Sequence, residues 1–321
     1  MSRLLPKPGF RAVIGLFTLV GTLVVAGCAS HAPAGPASTG SNAGSAFPVT
    51  VVVPGGNTPV TIATQPKRIV SLDASDTQIL FRIGAGKQVV AVDKDSDYPG
   101  APVTSIDATN PNVEAIAGYN PDLVVTAYND NNVVSGLQKL KIPVLLVNAP
   151  ANVNGAYGLW SELGKATGHQ SEADSLVSKT KQDIAATVAK APTPATPITY
   201  YYELDPTYYT ATSHTFIGSL LAQFHLTNIG DPADSASAGG YPQLSQEAIF
   251  QANPAVIFLA DSGKDGGQST QSVAARPGWA TLSAVQRGNV FVLDGDQASE
   301  WGPNIDTLMQ TVAADLAKAG H

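Results

Sequence analysis

Residues 112–127, NVEAIAGYNPDLVVTA, recur in outline as residues 245–260, SQEAIFQANPAVIFLA. Both stretches contain Glu-Ala-Ile, then three residues, then Asn-Pro, and both end in an apolar run. Because self-similarity within a chain reflects a repeated architecture, this repeat is the first guide to the fold. Two copies predict two similar halves rather than a solenoid, which needs more repeats.

The residues of each copy predict a short helix followed by a buried strand. Asn112 and Ser245 are N-cap residue types, which places Glu114 and Glu247 at the second helical position. A carboxylate at that position faces the positive end of the helix dipole. The Asn-Pro pair is expected to end the helix, because the residue before a proline avoids the α region. The apolar run that follows is typical of a buried parallel strand.

The composition excludes several classes of function. The chain has 321 residues, of which 44% are hydrophobic and 13% are charged, and its net charge is −7. A negative net charge makes nucleic acid a poor partner. A single cysteine excludes a disulfide framework and a cysteine zinc site.

The first residues have the plan of an export signal. Basic residues precede an apolar stretch at 12–25, and Val-Ala-Gly-Cys follows at 25–28. This ending resembles a bacterial lipobox, in which Cys28 becomes the lipidated first residue. The alternative is a membrane-spanning anchor, for which about 14 apolar residues are few. We therefore expect a lipoprotein signal peptide at 1–27, a flexible tether at 28–47 and an extracytoplasmic chain attached to the membrane through Cys28.

The rest of the chain alternates predicted strands and helices, which indicates the α/β class. A short hairpin is predicted at 49–63, and strand–helix–strand units follow in an N-terminal lobe at 48–150. Residues 151–192 contain no strand pattern and predict helices, the second of which is long. A second α/β lobe is predicted at 193–321. The long helix is interpreted as a connector between the lobes; the alternative is an ordinary packed helix.

Signatures of catalysis and of metal binding are absent from the sequence. It contains no G-x-S-x-G, H-E-x-x-H or G-x-G-x-x-G motif. Residues 93–97 open like a calcium-binding loop, but Tyr98 and Thr104 stand where glycine and glutamate are required. The five histidines are scattered, so no protein-held metal is predicted.

Polar and aromatic residues follow the predicted strands of both lobes. Ligands of open parallel sheets bind beyond the carboxyl ends of the strands, so we expect these residues to line a cleft between the lobes. Tyrosine and tryptophan present large, rigid faces that suit a bulky or planar ligand, although any one of them could instead serve packing. The predicted cleft residues are Asp73, Ser75, Tyr98, Tyr128, Asn129, Tyr208, Tyr209, Tyr241, Asp296 and Trp301.

Several motifs resemble one family. These are residues 66–72 with Gly-Ala-Gly at 84–86, Asp-Tyr-Pro at 97–99, the first repeat copy, Tyr-Pro-Gln-Leu-Ser at 241–245, and Pro-Gly-Trp at 277–279. Together they resemble the solute-binding lipoproteins of ATP-driven (ABC) importers for ferric siderophores, haem and cobalamin. The resemblance extends from about Pro66 to Leu316.

The resemblance implies a fold and a role. The fold is two Rossmann-like α/β lobes joined by a single long α-helix, with the ligand cleft between them. The role is that of a monomeric receptor, not an enzyme, which captures an iron-siderophore or related chelate and delivers it to an ABC permease. Glu114 and Glu247 are implied to dock on arginines of the permease. No resident cofactor or metal is implied, since the metal arrives within the chelate.

The sequence departs from the family in ways that bear on the ligand. The loop at 73–76 is unusually acidic, and Asn304 stands where arginine is common. Lys94 and Lys264 are the main basic residues of the cleft loops, whereas an anionic ferric catecholate needs more. This favours hydroxamate siderophores, cobalamin or haem, and Tyr-Pro-Gln-Leu-Ser-Gln-Glu at 241–247 leans towards cobalamin. Haem iron could be ligated by cleft tyrosines.

Two other classes of function stay open at this stage. An exported α/β hydrolase or lyase would need a nucleophile beside a histidine, and His214 is the one suggestive position. A ligand sensor that acts without a permease would bind the chelate but would not need Glu114 and Glu247.

Overall fold

The structure, a computed structural model, describes residues 46–54, 58–192, 196–262 and 267–320. The predicted signal peptide, Cys28 and nearly all of the predicted tether lie outside these ranges. The described residues belong to one compact unit, Ser45–His321. Within them, no helix combines the length and the apolar character needed to cross a membrane.

A small antiparallel hairpin precedes the first lobe, as the sequence predicted. It pairs β1 (Val49–Val51) with β2 (Val60–Ile62). After β1, the backbone N–H of Val52 donates to Glu162 Oε2 at 3.1 Å, which ties the hairpin to the middle of the chain.

The first lobe contains a parallel sheet with the strand order β4-β3-β5-β6. Its central strands β3 and β5 are buried throughout, which is why their sequences are short apolar runs. The elements of the lobe are β3 (Ile69–Leu72), α1 (Ala74–Arg82), β4 (Val89–Val92), α2 (Val113–Ala117), β5 (Leu123–Thr126), α3 (Val133–Lys139) and β6 (Val144–Leu146).

Two helices lie between the sheets in the chain. Asn152 caps α4 (Val153–Thr167), which ends at Gly168 with a φ of 80°. The longer helix α5 (Gln170–Lys190) follows at once and packs against α4 and the C-terminal helix α11 (Ile305–Lys318). The long predicted helix is therefore present, between β6 and the first strand of the second sheet.

The second lobe contains a parallel sheet with the order β8-β7-β9-β10. In both sheets the first strand lies between the second and the third, and the fourth lies at an edge, so the repeat predicted the architecture correctly. The elements are β7 (Thr199–Glu203), α6 (Phe216–Leu221), β8 (Thr227–Asn228), α7 (Gln246–Ala252), β9 (Val256–Leu259), α8 (Thr270–Ala274), α9 (Ser283–Arg287), β10 (Val290–Val292), α10 (Gly295–Ser299) and α11.

The repeated stretch folds alike in both lobes. Asn112 and Ser245 accept hydrogen bonds from the third backbone N–H of α2 and α7, at 2.7 and 3.1 Å, so both predicted N-caps are confirmed. Both helices end before Asn-Pro, as expected. Asn120 and Asn253 adopt the left-handed conformation, with φ of 49° and 42°, which asparagine tolerates better than most residues.

One apolar core joins the inner faces of the two sheets to the helices between them. It includes fully buried side chains of α1, α4, β7 and α11, such as Ile79, Trp160, Tyr202 and Met309. Each sheet has a second, separate core on its other face. The shared core positions the carboxyl ends of both sheets with respect to each other.

Candidate ligand-binding cleft

The first lobe contributes a group of carboxylates to the edge where its strands end. Asp73 follows β3 directly and caps α1, accepting from the backbone N–H of Asp76 at 3.1 Å. Burial, opposed by that hydrogen bond and helped by the charge of Asp93, raises the pKa of Asp73 to about 6. Asp73 therefore takes up a proton at a higher pH than an ordinary aspartate.

Asp76 is the most deeply buried acid of this group. Its side chain is fully buried, and neither carboxylate oxygen has a hydrogen-bond partner. Burial, with a further contribution from Asp73, raises the pKa of Asp76 well above its usual range. The indole of Trp301 in the second lobe lies close enough to lower that pKa in part, but its N–H does not reach hydrogen-bond geometry.

The predicted residues Tyr98, Tyr128 and Asn129 lie in different settings. Tyr98 is half-buried and packs on Phe81, with ring centroids 5.1 Å apart. Tyr128 is 38% exposed, and burial together with the charges of Asp73 and Asp93 raises its pKa. Asn129 accepts from the backbone N–H of Val134 at 3.2 Å and so holds the start of α3.

Aromatic residues dominate the loops of the second lobe. Tyr209 and Tyr241 are 41% and 47% exposed, and their chain segments are joined by a bridge between Tyr209 and Gln243. Tyr208 lies differently: its ring stacks on that of Trp279 at 5.7 Å, inside the second lobe. The structure thus presents Tyr209 and Tyr241 as available aromatic faces and uses Tyr208 for packing.

A cavity of about 290 Å³ is lined by residues of both lobes. Glu300 in its wall has a pKa of about 7, raised by burial and by neighbouring carboxylates, of which Asp296 and Asp73 contribute most. Of the ten predicted cleft residues, Tyr98 and Asp296 belong to this wall. The lining residues are Ala74, Gln78, Asp97, Tyr98, Pro99, Asp294, Asp296, Gln297, Glu300 and Asn304.

Basic side chains beside these loops are engaged in contacts of their own. Lys94 pairs with Asp107 at 2.9 Å, on the surface. Arg276 pairs with the buried Glu203 through two contacts of 2.5 and 2.6 Å. Arg82 donates to the side chain of Asn304 at 3.3 Å. Lys264, the other basic residue expected in the cleft, lies outside the described residues.

The two glutamates of the repeat occupy equivalent surface positions. Glu114 and Glu247 are both exposed, at the second position of α2 and of α7. Neither makes an ion pair with any residue that the structure describes. Both carboxylates are therefore free to meet cations of another molecule.

The surroundings of His214 do not form a nucleophile–base pair. His214 Nδ1 lies 2.9 Å from Asp234 Oδ2, and the imidazole is 70% exposed. The neighbouring hydroxyl of Ser213 donates to Asp231 instead of His214. Among the described residues there is also no group of three or more histidine, cysteine, aspartate or glutamate side chains suited to hold a metal.

Comparisons with known proteins agree on one family. The family described as "Periplasmic binding protein" matches residues 69–297. The ABC transporter substrate-binding lipoprotein YvrC of Bacillus subtilis is 30% identical over 96% of this chain and 99% of its own length. A cobalamin-binding protein of Halobacterium salinarum is 30% identical over 86% of this chain and 74% of its own.

Solved structures give the same result. A possible iron-binding periplasmic solute-binding protein of Staphylococcus epidermidis superposes with a TM-score of 0.68 at 27% identity, over 78% of this chain and 99% of its own. The periplasmic vitamin B12-binding protein BtuF of Vibrio cholerae superposes with a TM-score of 0.61 at 25% identity, over 79% and 98%.

Proposed function

Because the chain belongs to the periplasmic binding protein family, we propose that it captures an uncharged or cationic metal chelate and delivers it to an ABC importer. A cobalamin-type corrinoid is the first candidate ligand, and a ferric hydroxamate siderophore is the second. The matched family is one of binding proteins and not of enzymes, which leaves the hydrolase alternative without support.

The observation that carries this proposal is the charge of the cleft. The cavity between the lobes is lined by Asp97, Asp294, Asp296 and Glu300. Among the described basic side chains, Arg82 meets this lining through the amide of Asn304, whereas Lys94 and Arg276 are held in ion pairs. An anionic ligand in this position would meet four acidic side chains and one arginine, far from the cluster of arginine forks that binds carboxylate or catecholate oxygens well. Ferric catecholates, ferric citrate and the two carboxylates of haem are therefore disfavoured.

A corrinoid suits both kinds of side chain that the cleft offers. Its macrocycle is large and presents an apolar face that can stack on exposed tyrosine rings such as Tyr209 and Tyr241. Its periphery carries neutral amides, whose N–H groups can donate to carboxylates. The names of two relatives, from Halobacterium salinarum and Vibrio cholerae, support the same ligand. A ferric hydroxamate shares the lack of negative charge but has a smaller apolar face.

A titration of the purified protein tests the ligand class. Quenching of its intrinsic fluorescence is measured with cyanocobalamin, a ferric hydroxamate, haemin, ferric citrate and a ferric tris-catecholate. We expect cyanocobalamin to bind with a Kd below about 10 μM, equivalent to about −7 kcal/mol. Tightest binding of the tris-catecholate, or no binding of any chelate, would contradict the proposal.

Two tyrosine variants test whether the ligand binds in the cleft. Tyr209→Ala and Tyr241→Ala are each expected to weaken cyanocobalamin binding about tenfold, because each removes a stacking face. Leu140→Ala, which truncates an exposed apolar side chain outside these loops, is the matched control and should leave the affinity unchanged. Equal affinities for all four proteins would exclude these tyrosines from the site.

Glu114 and Glu247 are proposed to dock the two lobes on the permease. The support is their equivalence: each is exposed at the second position of the repeated helix, one in each lobe. Helix-dipole stabilisation alone accounts for a glutamate at either helix. It does not require the same residue at the same position in both.

The docking proposal is tested by separating capture from delivery. Cells that lack the chromosomal copy are supplied with Glu114→Gln/Glu247→Gln, and uptake of labelled ligand is compared with the affinity of the purified variant. We expect uptake to fall more than tenfold with affinity unchanged. Glu172→Gln, an exposed first-turn glutamate of α5, is the control. Unimpaired uptake of the double variant would favour a sensor that acts without a permease.

The proposed location is the outer face of the cell membrane, with a lipid on Cys28. The Bacillus subtilis relative that matches nearly the whole chain is named a lipoprotein. Metabolic labelling with a palmitate analogue should mark the wild-type protein and not Cys28→Ser. Labelling of Cys28→Ser would place the lipid elsewhere.

A further inference from the structure

The two lobes are connected by side chains of α1 and a short segment before α11. Gln78 on α1 is 6% exposed and makes two hydrogen bonds across the boundary. Its Nε2 donates to Glu300 Oε2 at 3.2 Å, and its Oε1 accepts from the backbone N–H of Asn304 at 3.0 Å. The side-chain amide of Gln78 thus contacts the second lobe through both its N–H donor and its carbonyl acceptor.

Neighbouring residues on the same face of α1 reinforce this contact. Ser75, Gln78 and Arg82 are spaced three and four residues apart, so they project from one side of the helix. Ser75 Oγ accepts from the backbone N–H of Trp301 at 3.3 Å, and Arg82 donates to the side chain of Asn304.

The segment opposite α1 is shaped for a close approach. A Cβ on Gly302 would lie 2.2 Å from Gln78 Oε1, so any larger residue there would displace the Gln78 side-chain amide from its two hydrogen bonds. Pro303 follows, buried, and its ring restricts the backbone. The carbonyl of Trp301 accepts from Trp160 Nε1 at 3.2 Å, which fixes the segment to α4 as well.

We propose that α1 and residues 300–304 form an interlobe clasp in which Gln78 is the central positioning residue, and that this clasp sets the spacing of the lobes before ligand arrives. Gln78, Glu300 and Asn304 also line the cavity between the lobes. The clasp therefore determines the width of the proposed binding site. A cleft already at its binding width spends little free energy on closure when the ligand enters.

The spacing of the lobes can be measured without any ligand. Cys28 is the only cysteine, so Cys28→Ser provides a background for two spin labels. Lys139→Cys on α3 and Arg287→Cys on α9 are exposed and report on the first and second lobes. Pulsed electron–electron double resonance should give one narrow distribution of the distance between the two labels. Cyanocobalamin should leave this distribution unchanged.

Gln78→Met keeps the volume of the side chain and removes both hydrogen bonds. We expect it to broaden the distance distribution and to weaken ligand binding at least tenfold. Gly302→Ala, which acts from the other side of the clasp, should do the same. Gln182→Ala on the exposed face of α5 is the matched control and should change neither quantity.

The two measurements distinguish the clasp from the ligand assignment. Only the binding measurement rests on the proposed function, because the distance between the lobes is measured without ligand. A distribution in Gln78→Met and Gly302→Ala as narrow as in the wild type would overturn the clasp, whatever the affinity does. Failure of cyanocobalamin to bind, with broadened distributions in both variants, would overturn the ligand assignment and leave the clasp supported.

Discussion

The two lobes share a strand order, a capped helix with an exposed glutamate and a left-handed asparagine, yet they differ in how the acid at the end of the first strand is paired. In the first lobe, Asp73 and Asp76 are buried beyond β3 without a cationic partner. In the second lobe, Glu203 at the end of β7 is also buried, but Arg276 neutralises it through two contacts. The guanidinium of Arg276 also lies 4.6 Å from the ring centroid of Trp279.

This difference separates what the fold requires from what the site requires. The features common to both lobes build the sheets and present Glu114 and Glu247. The features that differ lie where the strands end, which is the edge at which α/β proteins bind ligands. Asp73 is explained by its capping of α1, but the buried carboxyl of Asp76 has no hydrogen-bond partner among the described residues, and such a cost in stability is typical of functional sites.

The largest expected effect concerns the buried ion pair of the second lobe. Arg276→Met should lower the free energy of unfolding by about 3–5 kcal/mol, because it leaves Glu203 charged and fully buried without a partner. Lys94→Met breaks the exposed pair of the first lobe with Asp107 and should change stability far less, because solvent screens both charges. Urea unfolding of both variants measures the contrast.

A double variant distinguishes loss of the charge pair from loss of packing. Replacing both charges, in Arg276→Met/Glu203→Gln, should recover part of the lost stability, because no unpaired charge remains buried. If the double variant is as unstable as Arg276→Met alone, the packing of the guanidinium on Trp279 and Tyr208 is what matters.

The next effect compares the two left-handed asparagines. Asn253 exchanges two hydrogen bonds with Ser283, both at 2.8 Å, whereas Asn120 makes one side-chain bond of 3.4 Å to Gly118. Glycine accepts the same backbone conformation, so substitution by glycine isolates the side chain. Asn253→Gly should cost about 1–2 kcal/mol, and Asn120→Gly below about 0.5 kcal/mol. If thermal unfolding shows equal costs for the two variants, the left-handed backbone conformation and not the side-chain hydrogen bonding accounts for what both asparagines contribute.

Most of the fold could be predicted from the sequence because its signals are local. Buried parallel strands such as β3, β5 and β9 leave continuous apolar runs, and N-caps leave asparagine or serine before a helix. The strand β8 could not be predicted, because it has two residues and no apolar run. Its pairing depends on Asn228, whose side chain donates to Tyr200 and to the carbonyl of Ala211.

The site was less predictable because its contacts join distant parts of the chain. The strand ends indicate which loops carry polar residues, and of the predicted cleft residues Tyr98 and Asp296 line the cavity, while Asp73 caps α1. Gln78 gave no signal, since its partners Glu300 and Asn304 are more than two hundred residues away. Tyr208 could not be told from Tyr209 by sequence, although one packs inside its lobe and the other is exposed.

The smallest expected effect lies where the two lobes face each other. The pKa of Glu300 is about 7 in the folded protein, above its usual 4.5, so between these values the folded state holds a proton that the unfolded state has lost. Stability should therefore fall as the pH rises from about 4.5 through 7. Because Glu300 is only partly buried, solvent screens its charge. The contribution of Glu300 to the free energy of unfolding should therefore stay below about 1 kcal/mol.

Urea unfolding at pH 5, 6, 7 and 8 measures this slope. Glu300→Gln, which resembles the protonated acid and keeps an acceptor for Gln78, should make the slope shallower, and the part due to Asp73, whose pKa is also raised, should remain. Asp97→Asn removes a carboxylate of the first lobe that raises the pKa of Glu300, so it should move the slope to lower pH. If Asp97→Asn has no effect while Glu300→Gln does, burial and the carboxylates of Asp296 and Asp73 set this pKa. The first lobe would then act on the charge of Glu300 through Asp73 and not through Asp97.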